Sequence, residues 1–137
     1  MRRGDRPRDL ASLVAPVERI LREAAASEVM PRYQALGSDD IVEKAPNELV
    51  TIADRACEAR LSEALSRLLP EAAIIGEEAV AAAPALMAHI GAGLCWIIDP
   101  IDGTGNYAAG KPPFGLMVAL ADGDDVLAGW MLDPLTG

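Results

Sequence analysis

The sequence predicts an α/β fold, and three observations support this prediction. Two segments place apolar residues at helical spacing, two short apolar segments end in carboxylates, and two strand-like segments joined by a turn lie near the carboxyl end. Of the 137 residues, 51% are apolar, which is enough for a packed core and argues against disorder. The length suits one domain or part of a larger one.

The charge of the chain restricts its partners. The net charge is -9, so we expect no general binding to nucleic acid or to anionic membranes, because both are negatively charged. The basic cluster at the amino end is expected to be a solvated tail, and it consists of Arg2, Arg3, Arg6 and Arg8. No apolar run approaches the roughly 20 residues of a membrane helix, and the first residues lack a signal-peptide core.

The cysteine content indicates a reducing compartment. Cys57 and Cys95 are the only cysteines, and both lie in apolar segments. We therefore expect reduced, packed thiols and a cytoplasmic protein, although the sequence leaves a disulfide between the two open.

The first helix is predicted over Asp9 to Ala26, with Asp9 as its cap. Pro16 is a defect in this pattern, because proline removes a backbone donor and should kink the helix or offset its start. Met30 to Leu36 either extends the helix past Pro31 or is an irregular exit from it. The apolar stripe consists of Leu10, Leu13, Val14, Val17, Ile20, Leu21 and Ala24.

The second helix is predicted over Val50 to Leu69, with Thr51 as its cap. It follows a polar segment, Gly37 to Asn47, which is interpreted as a loop or a loose hairpin and contains Lys44. The apolar stripe consists of Val50, Ala53, Cys57, Leu61, Ala64, Leu65 and Leu68.

Asp54 falls on the apolar stripe of the second helix. A carboxylate on a buried face is costly unless a cation or a set of donors meets it. Two interpretations stay open: Asp54 serves a functional site, or it accepts hydrogen bonds from the amino-terminal amides of its own helix.

Two predicted strands deliver carboxylates at their carboxyl ends, where open α/β sheets commonly bind ligands. Ala72 to Ile75 is followed by Gly76, Glu77 and Glu78. Leu94 to Ile98 is followed by Asp99-Pro100-Ile101-Asp102-Gly103-Thr104. One acidic pair after a strand is often a solvated turn or the first turn of the next helix, but the repetition favours a shared site.

The remaining segments complete the predicted topology. Ala79 to Ile90 is expected to form a short helix, and its lone His89 is expected to be a surface or packing residue. Asn106 to Ala109 is compatible with one helical turn. Phe114 to Ala121 and Val126 to Leu132 are predicted to pair as an antiparallel hairpin.

The residue types at the strand ends indicate a hard cation next to a phosphate. Carboxylates without histidine or thiolate ligands favour magnesium, and the Ile101 carbonyl adds a further oxygen. The sequence Gly103-Thr104-Gly105 allows the backbone to approach a phosphate closely. Thr104, hydrogen bonded to Asp54, would be a reasonable pair for activating water. The Asp-x-x-Asp-Gly pattern also occurs in calcium loops, but its spacing does not match an EF-hand.

The segment from Trp96 to Tyr107 resembles the signature of the inositol monophosphatase family. The other motifs occur in the family's order, with Leu49-Val50-Thr51-x-x-Asp54 followed by Gly76-Glu77-Glu78. The resemblance implies alternating helix and sheet layers of the sugar-phosphatase type, around a mixed, largely antiparallel sheet. It also implies a small phosphorylated substrate, Mg²⁺, and a homodimer as one oligomeric state of a full-length member.

The resemblance implies roles for individual residues. Glu77, Asp99 and the Ile101 carbonyl resemble ligands of one magnesium ion, and Asp99 and Asp102 resemble ligands of a second. Gly103 and Thr104 resemble phosphate contacts, and Thr104 with Asp54 resembles the pair that activates water. The substrate is expected to meet Glu77, Ile101, Asp102, Gly103 and Thr104. Lys44 aligns loosely with a loop lysine near the metals. In the acidic pair, Glu77 rather than Glu78 resembles the metal ligand.

The resemblance implies a magnesium-dependent phosphomonoesterase for a small polyol phosphate such as inositol monophosphate. The alternatives are a histidinol-phosphate, nucleotide or sugar-phosphate phosphatase of the same family, or a non-catalytic fragment that binds metal or anions. Two departures from the family matter: residues 108–113 lack its His-containing aromatic segment, and residues 1–137 correspond only to an amino-terminal portion. A chain lacking the carboxyl-terminal half is expected to be inactive alone.

Overall fold

Helices and strands alternate along the chain in the computed structural model, which describes residues 10–45, 48–85 and 93–137. The helices are α1 (Ala11–Ala24), α2 (Ile52–Leu68), α3 (Glu77–Ala82) and α4 (Thr104–Ala108). The strands are β1 (Ile41–Ala45), β2 (Glu48–Thr51), β3 (Ala73–Gly76), β4 (Leu94–Asp102), β5 (Gly115–Asp122) and β6 (Asp125–Leu132). Asp9, the amino-terminal arginines and His89 lie outside the described residues.

The main sheet has four strands in the order β3-β4-β5-β6. β3 and β4 are parallel, whereas β4 with β5 and β5 with β6 are antiparallel. The predicted α/β class with a mixed, largely antiparallel sheet is therefore confirmed. β1 and β2 form a separate antiparallel hairpin, so the segment interpreted as a loop or a loose hairpin is a hairpin that runs on to Thr51.

The main core lies between the helices α1 and α2 and one face of the four-stranded sheet. Alternate residues of β4 and β5 face these helices, because successive side chains of a strand point to opposite faces. The helices contribute Leu13, Val17, Leu21, Leu61 and Leu65, and the strands contribute Trp96, Ile98, Leu116, Val118 and Leu120. A smaller cluster of Ile75, Cys95 and Ala121, with Val80 packed against it, forms away from this core. No helix among the described residues is long and apolar enough to cross a bilayer.

Helix α1 contains Pro16 and continues through it. Burial of the apolar stripe stabilises the helix by more than the roughly 1 kcal/mol of one lost hydrogen bond. The stripe is narrower than predicted, since Val14 is 48% exposed. The chain continues helically after α1, through Ala25–Val29 and Met30–Arg32, so the extension past Pro31 is confirmed as far as Arg32.

The helix predicted over Ala79 to Ile90 is wrong at its end, because α3 stops at Ala82. Other predicted boundaries are wrong by two to four residues. Helix α2 begins at Ile52 rather than Val50, because Thr51 has extended dihedral angles and ends β2. Helix α3 begins at Glu77 rather than Ala79, so both glutamates occupy its first turn. Strand β4 continues past Ile98 to Asp102, where it still pairs with Gly115.

Both thiols are expected to be unreactive in the native protein. Cys57 and Cys95 are free and buried, and burial raises both pKa values, that of Cys57 to about 12. Since the thiolate is the reactive form, less than about one tenth of the thiols should react with an aromatic disulfide reagent within minutes at pH 8. Both should react in denaturant. Rapid reaction of either thiol in the folded protein would contradict this packing.

Candidate active site

The parallel pairing of β3 with β4 brings the two acidic strand ends together. Gly76 lies opposite Ile98 in the register, so the next residues along each strand are Glu77 and Asp99. Their side chains share a hydrogen bond. The two acidic segments that follow the predicted strands therefore meet at one place in the structure.

A β-bulge in β4 allows Asp99 and Asp102 to serve the same region. Residues three apart in a regular strand point to opposite faces of the sheet. Here Asp99 pairs with Met117 and Asp102 pairs with Gly115, so β4 has one residue more than β5 between these pairs. A bulge of this kind redirects side chains, and Pro100 fits within it because it cannot donate a ladder hydrogen bond. The negative charge of Asp102 acts on Asp99, which confirms their proximity.

Asp54 is fully buried, and its hydrogen bonding at the start of its own helix is confirmed. Its role in a functional site stays a prediction. Its Oδ2 accepts hydrogen bonds from the backbone N–H and the hydroxyl of Thr51, both at 2.7 Å. This contact is half of a capping box, in which the Thr51 hydroxyl also accepts from the Asp54 N–H. Its Oδ1 lies 2.9 Å from the Thr104 hydroxyl, which is also 3.0 Å from the Ile101 carbonyl. Asp54 thus links the start of α2 to the start of α4.

Gly103 turns the chain from β4 into α4. It has a φ of +85°, a region that residues with a Cβ rarely adopt. A Cβ at this position would also lie 2.8 Å from the carbonyl oxygen of Pro113. Both constraints require glycine here, and the turn places Thr104 directly beside the acidic strand ends.

The site is electrostatically unfavourable without a positive charge. The pKa of Asp99 is raised to about 8 by burial first, then by the hydrogen bond with Glu77 and by the charges of Glu77, Asp102 and Asp54. Its Oδ1 is buried and has no hydrogen-bond partner among the described residues. Burial also raises the pKa of Asp54, against the lowering effect of its bonds from Thr51 and Thr104. Glu77 and Asp102 are exposed and open the site to solvent.

The structure brings together most of the residues selected from the sequence. Asp54, Glu77, Asp99, Asp102 and Thr104 form one group, and the Ile101 carbonyl and Gly103 border it. Within residues 10–45, 48–85 and 93–137, no three Asp, Glu, His or Cys side chains converge closely enough to enclose an ion by themselves. A magnesium ion that takes one or two protein carboxylates, with water and phosphate as its other ligands, would not require such a cluster.

Two of the selected residues have a less direct relation to this group. Lys44 lies in β1, and its side chain is outside the described part of the structure. Glu78 follows Glu77 in the first turn of α3, where its backbone N–H donates to a carboxylate of α2.

That carboxylate belongs to Glu58, which the sequence reasoning missed. Glu58 is buried on α2, one helical turn beyond Asp54, and accepts hydrogen bonds from the start of α3. The available signal was its spacing, since residues four apart lie on the same face of a helix. Glu58 is adjacent to Cys57 and lies on the same helix face as Asp54, so this spacing indicates a second carboxylate that needs donors or a cation.

Known sequences resemble this chain over most of its length. Residues 9–137 match the sequence model of the Inositol monophosphatase family. The inositol-1-monophosphatase ImpA of Mycolicibacterium smegmatis is 38% identical over 134 residues, covering 96% of this chain and 44% of that protein. The histidinol-phosphatase of Streptomyces coelicolor is 36% identical over 104 residues, covering 75% of this chain and 36% of that protein.

The fold comparison gives the same relation. An inositol monophosphatase from Thermotoga maritima superposes with a TM-score of 0.73 at 22% identity, over 93% of this chain and 46% of that one. The chain spans less than half the length of these relatives and corresponds to their amino-terminal portion. Because the family's sequence model matches residues 9–137 and the fold agrees, this chain belongs to the inositol monophosphatase family.

Proposed function

We propose that this chain forms the cation- and phosphate-binding portion of a magnesium-dependent phosphomonoesterase for a small polyol phosphate such as inositol monophosphate. The observation that carries the proposal is the group of like charges around Asp99. A half-buried carboxylate with an unpartnered oxygen and three acidic neighbours is costly unless a cation balances it. Family membership supports the phosphatase class, whereas the substrate and the activity of this chain are parts of the proposal.

The donor set supports magnesium as the cation. Glu77, Asp99 and the Ile101 carbonyl would hold one ion, and Asp99 with Asp102 would hold a second. All of these ligands are oxygen donors. The Ile101 carbonyl already lies 3.0 Å from the Thr104 hydroxyl, but a carbonyl oxygen has a second lone pair. When bound, such an ion lowers the pKa of water and offsets the charge that develops on a phosphate.

The hydrogen bond from Thr104 to Asp54 gives the chain its own role in the reaction. If the Thr104 hydroxyl donates to Asp54 Oδ1, the threonine oxygen is left with lone pairs that can accept a proton from water. This arrangement would orient a water molecule for attack on phosphorus. The raised pKa of Asp54 makes it a better proton acceptor than an ordinary aspartate, so the proton can pass from water through Thr104 to Asp54.

The phosphate is placed by the turn that precedes α4. Gly103 allows close approach of the backbone, and the first amides of a helix have no acceptor within the helix. Thr104 starts α4 next to Asp102, so the phosphate would meet Gly103, Thr104 and the cation ligands together.

A second candidate substrate is histidinol phosphate, because one of the relatives is a histidinol-phosphatase at 36% identity. A non-catalytic metal-binding module is the rival from another class. The cytoplasmic location and the homodimer of a full-length member stay predictions, and the two free thiols support the former.

The direct test is phosphate release with Mg²⁺ from inositol 1-phosphate, histidinol phosphate, fructose 1,6-bisphosphate and AMP. Preference for the inositol ester supports the proposal, and preference for histidinol phosphate supports the second candidate. Magnesium binding without hydrolysis of any ester, by this chain and by its form extended to the length of its relatives, would favour the non-catalytic module.

Asp99→Asn should abolish most of the stabilisation by Mg²⁺. Ligand at 100 times its dissociation constant stabilises a folded protein by about 2.7 kcal/mol, and the variant should retain less than about half of that. The metal-free variant should be at least as stable as the parent, because the substitution removes a repelled charge. Thermal unfolding with and without Mg²⁺ measures both quantities. Asp125→Asn is the matched control, because Asp125 begins β6 opposite Asp122, which pairs with the end of β4 away from Asp99.

The stability of the metal-free protein should fall as pH rises from about 4 to about 8. The folded pKa of Asp99 is about 8 and its ordinary value is 3.8, so the folded state binds more protons in this window. The contribution of Asp99 to folding stability is therefore fully present below its unfolded pKa, and it is lost as the pH rises toward its folded pKa. Urea midpoints in the presence of a chelator measure the slope. Asp99→Asn should flatten it, and an unchanged slope in that variant would contradict the assignment.

In a form of the chain extended to the length of its relatives, Thr104→Val should reduce phosphate release by about 10²- to 10⁴-fold, because it removes the hydroxyl between water and Asp54. Thr104→Ser keeps the hydroxyl and should stay within about tenfold of the parent. Steady-state kinetics on the preferred ester provide the measurement. Equal losses in the two variants would contradict a role specific to the hydroxyl, because Thr104→Ser retains it.

A further inference from the structure

Glu58 is a buried carboxylate that the proposed mechanism does not use. Only 8% of its surface is exposed, although a buried carboxylate is costly without donors. The donors come from the first turn of α3: Glu58 Oε1 accepts from Glu78 N–H at 2.7 Å, and Oε2 accepts from Ala79 N–H at 2.9 Å. Both oxygens of one side chain thus hold a turn 20 residues away along the chain.

Gly76 shows how closely Glu58 lies against the end of β3. A Cβ built at Gly76 would overlap the Glu58 carboxyl group, with both carboxylate oxygens 2.7 Å away. The dihedral angles of Gly76, φ -102° and ψ 145°, are open to any residue. The space occupied by Glu58 therefore explains the glycine here, and backbone conformation does not.

These contacts surround Glu77 on both sides. Gly76 precedes it and is in contact range of Glu58, whereas Glu78 and Ala79 follow it and are hydrogen bonded to Glu58. Glu77 is itself the partner of Asp99. Since Asp54 lies one turn earlier on α2, this helix holds Asp54 directly and the backbone around Glu77 through Glu58.

Helix capping alone is the simpler explanation of Glu58, because an anion at a helix start is favourable by itself. It accounts for the two hydrogen bonds. It does not require that the capped turn carry an acidic residue of the candidate cation site, nor that the capping residue share a helix with Asp54. These two relations are what a residue that orients a ligand would show.

We propose that Glu58 is a positioning residue for the cation site, which fixes the start of α3 so that the Glu77 carboxylate faces Asp99. This inference rests on the proposed function, because the ion is the one that Glu77 and Asp99 would bind. Residues that orient metal ligands typically change metal affinity about 10- to 100-fold when they are substituted.

The first experiment compares Glu58→Gln with the matched control Glu63→Gln, an exposed residue of α2 that pairs with Arg67. Glutamine keeps the size of the side chain but offers one acceptor oxygen, so one of the two amides faces an NH₂ group. Calorimetric titration with Mg²⁺, at a temperature where every variant is folded, should show at least about tenfold weaker binding for Glu58→Gln and no change for Glu63→Gln. A lower Tm with magnesium affinity within about twofold of the parent would reduce Glu58 to a helix cap and overturn the proposal.

A second readout does not involve the metal. In the metal-free parent, the amide protons of Glu78 and Ala79 should be shifted downfield in NMR spectra by their charged acceptor, and Glu58→Gln should reverse this for at least one of them. If the parent binds no magnesium although these amide shifts are present, the proposed function is contradicted, whereas the hydrogen bonds from Glu78 and Ala79 to Glu58 are confirmed. If the shifts are absent in the parent, the positioning role fails by itself.

A double-mutant cycle tests whether Gly76 and Glu58 act as one unit. Gly76→Ala should weaken magnesium binding at least about fivefold, because the new methyl group displaces the Glu58 carboxylate. In a Glu58→Ala background the same change should have little effect, because the overlap is gone. Effects that multiply independently would contradict the proposal. If Glu58→Ala does not fold, the cycle is run with Glu58→Gln, where the Gly76 effect should again be smaller.

Discussion

The parallel pairing of β3 with β4 is the constraint on which the rest of the site depends. In this register Gly76 lies opposite Ile98, and the chain must therefore place Glu77 against Asp99. Two carboxylates at this distance repel each other, and the pKa of Asp99 rises to about 8 in response to burial and to its acidic neighbours. The hydrophobic core supports this arrangement, because Trp96 and Ile98 hold β4 against the helices. Packing energy thus keeps together charges that would otherwise separate, which is how a fold can prepare a cation site.

Two local devices shape the site around that pair. The bulge at Pro100 and Ile101 brings Asp102 to the same region as Asp99, against the alternation of a regular strand. Gly103 then starts α4 in a conformation that other residues rarely adopt, and Thr104 reaches Asp54. The segment from Asp99 to Thr104 therefore contains, in succession, a bulge, the end of a strand, a turn and the start of a helix. Helix α2 supports this segment from the other side through Asp54 and Glu58.

Most elements could be predicted from the sequence to within a few residues, because hydrophobic spacing reports which face of each segment is buried. The exception is α3, which ends at Ala82 rather than Ile90. The errors arose where two signals overlapped. Thr51 is both the last residue of β2 and the cap of α2, and the predicted helix began early because Val50 fits either element. Val14 fits the helical stripe but is 48% exposed, since spacing alone does not give the width of the contact surface.

The sequence by itself determined which residue types are candidates for the proposed chemistry: oxygen donors without histidine or thiolate partners, a glycine turn, and a threonine beside them. The residue types and their order along the chain can be obtained from the sequence alone. Only the tertiary structure decided which of these residues meet. The strand register made Glu77 the partner of Asp99, and the capping geometry of Thr51 gave Asp54 both a structural bond and a bond to Thr104. Helical spacing places Glu58 on the same face as Asp54, but only the tertiary structure identifies its donors, because its hydrogen bonds join residues 20 and 21 positions apart.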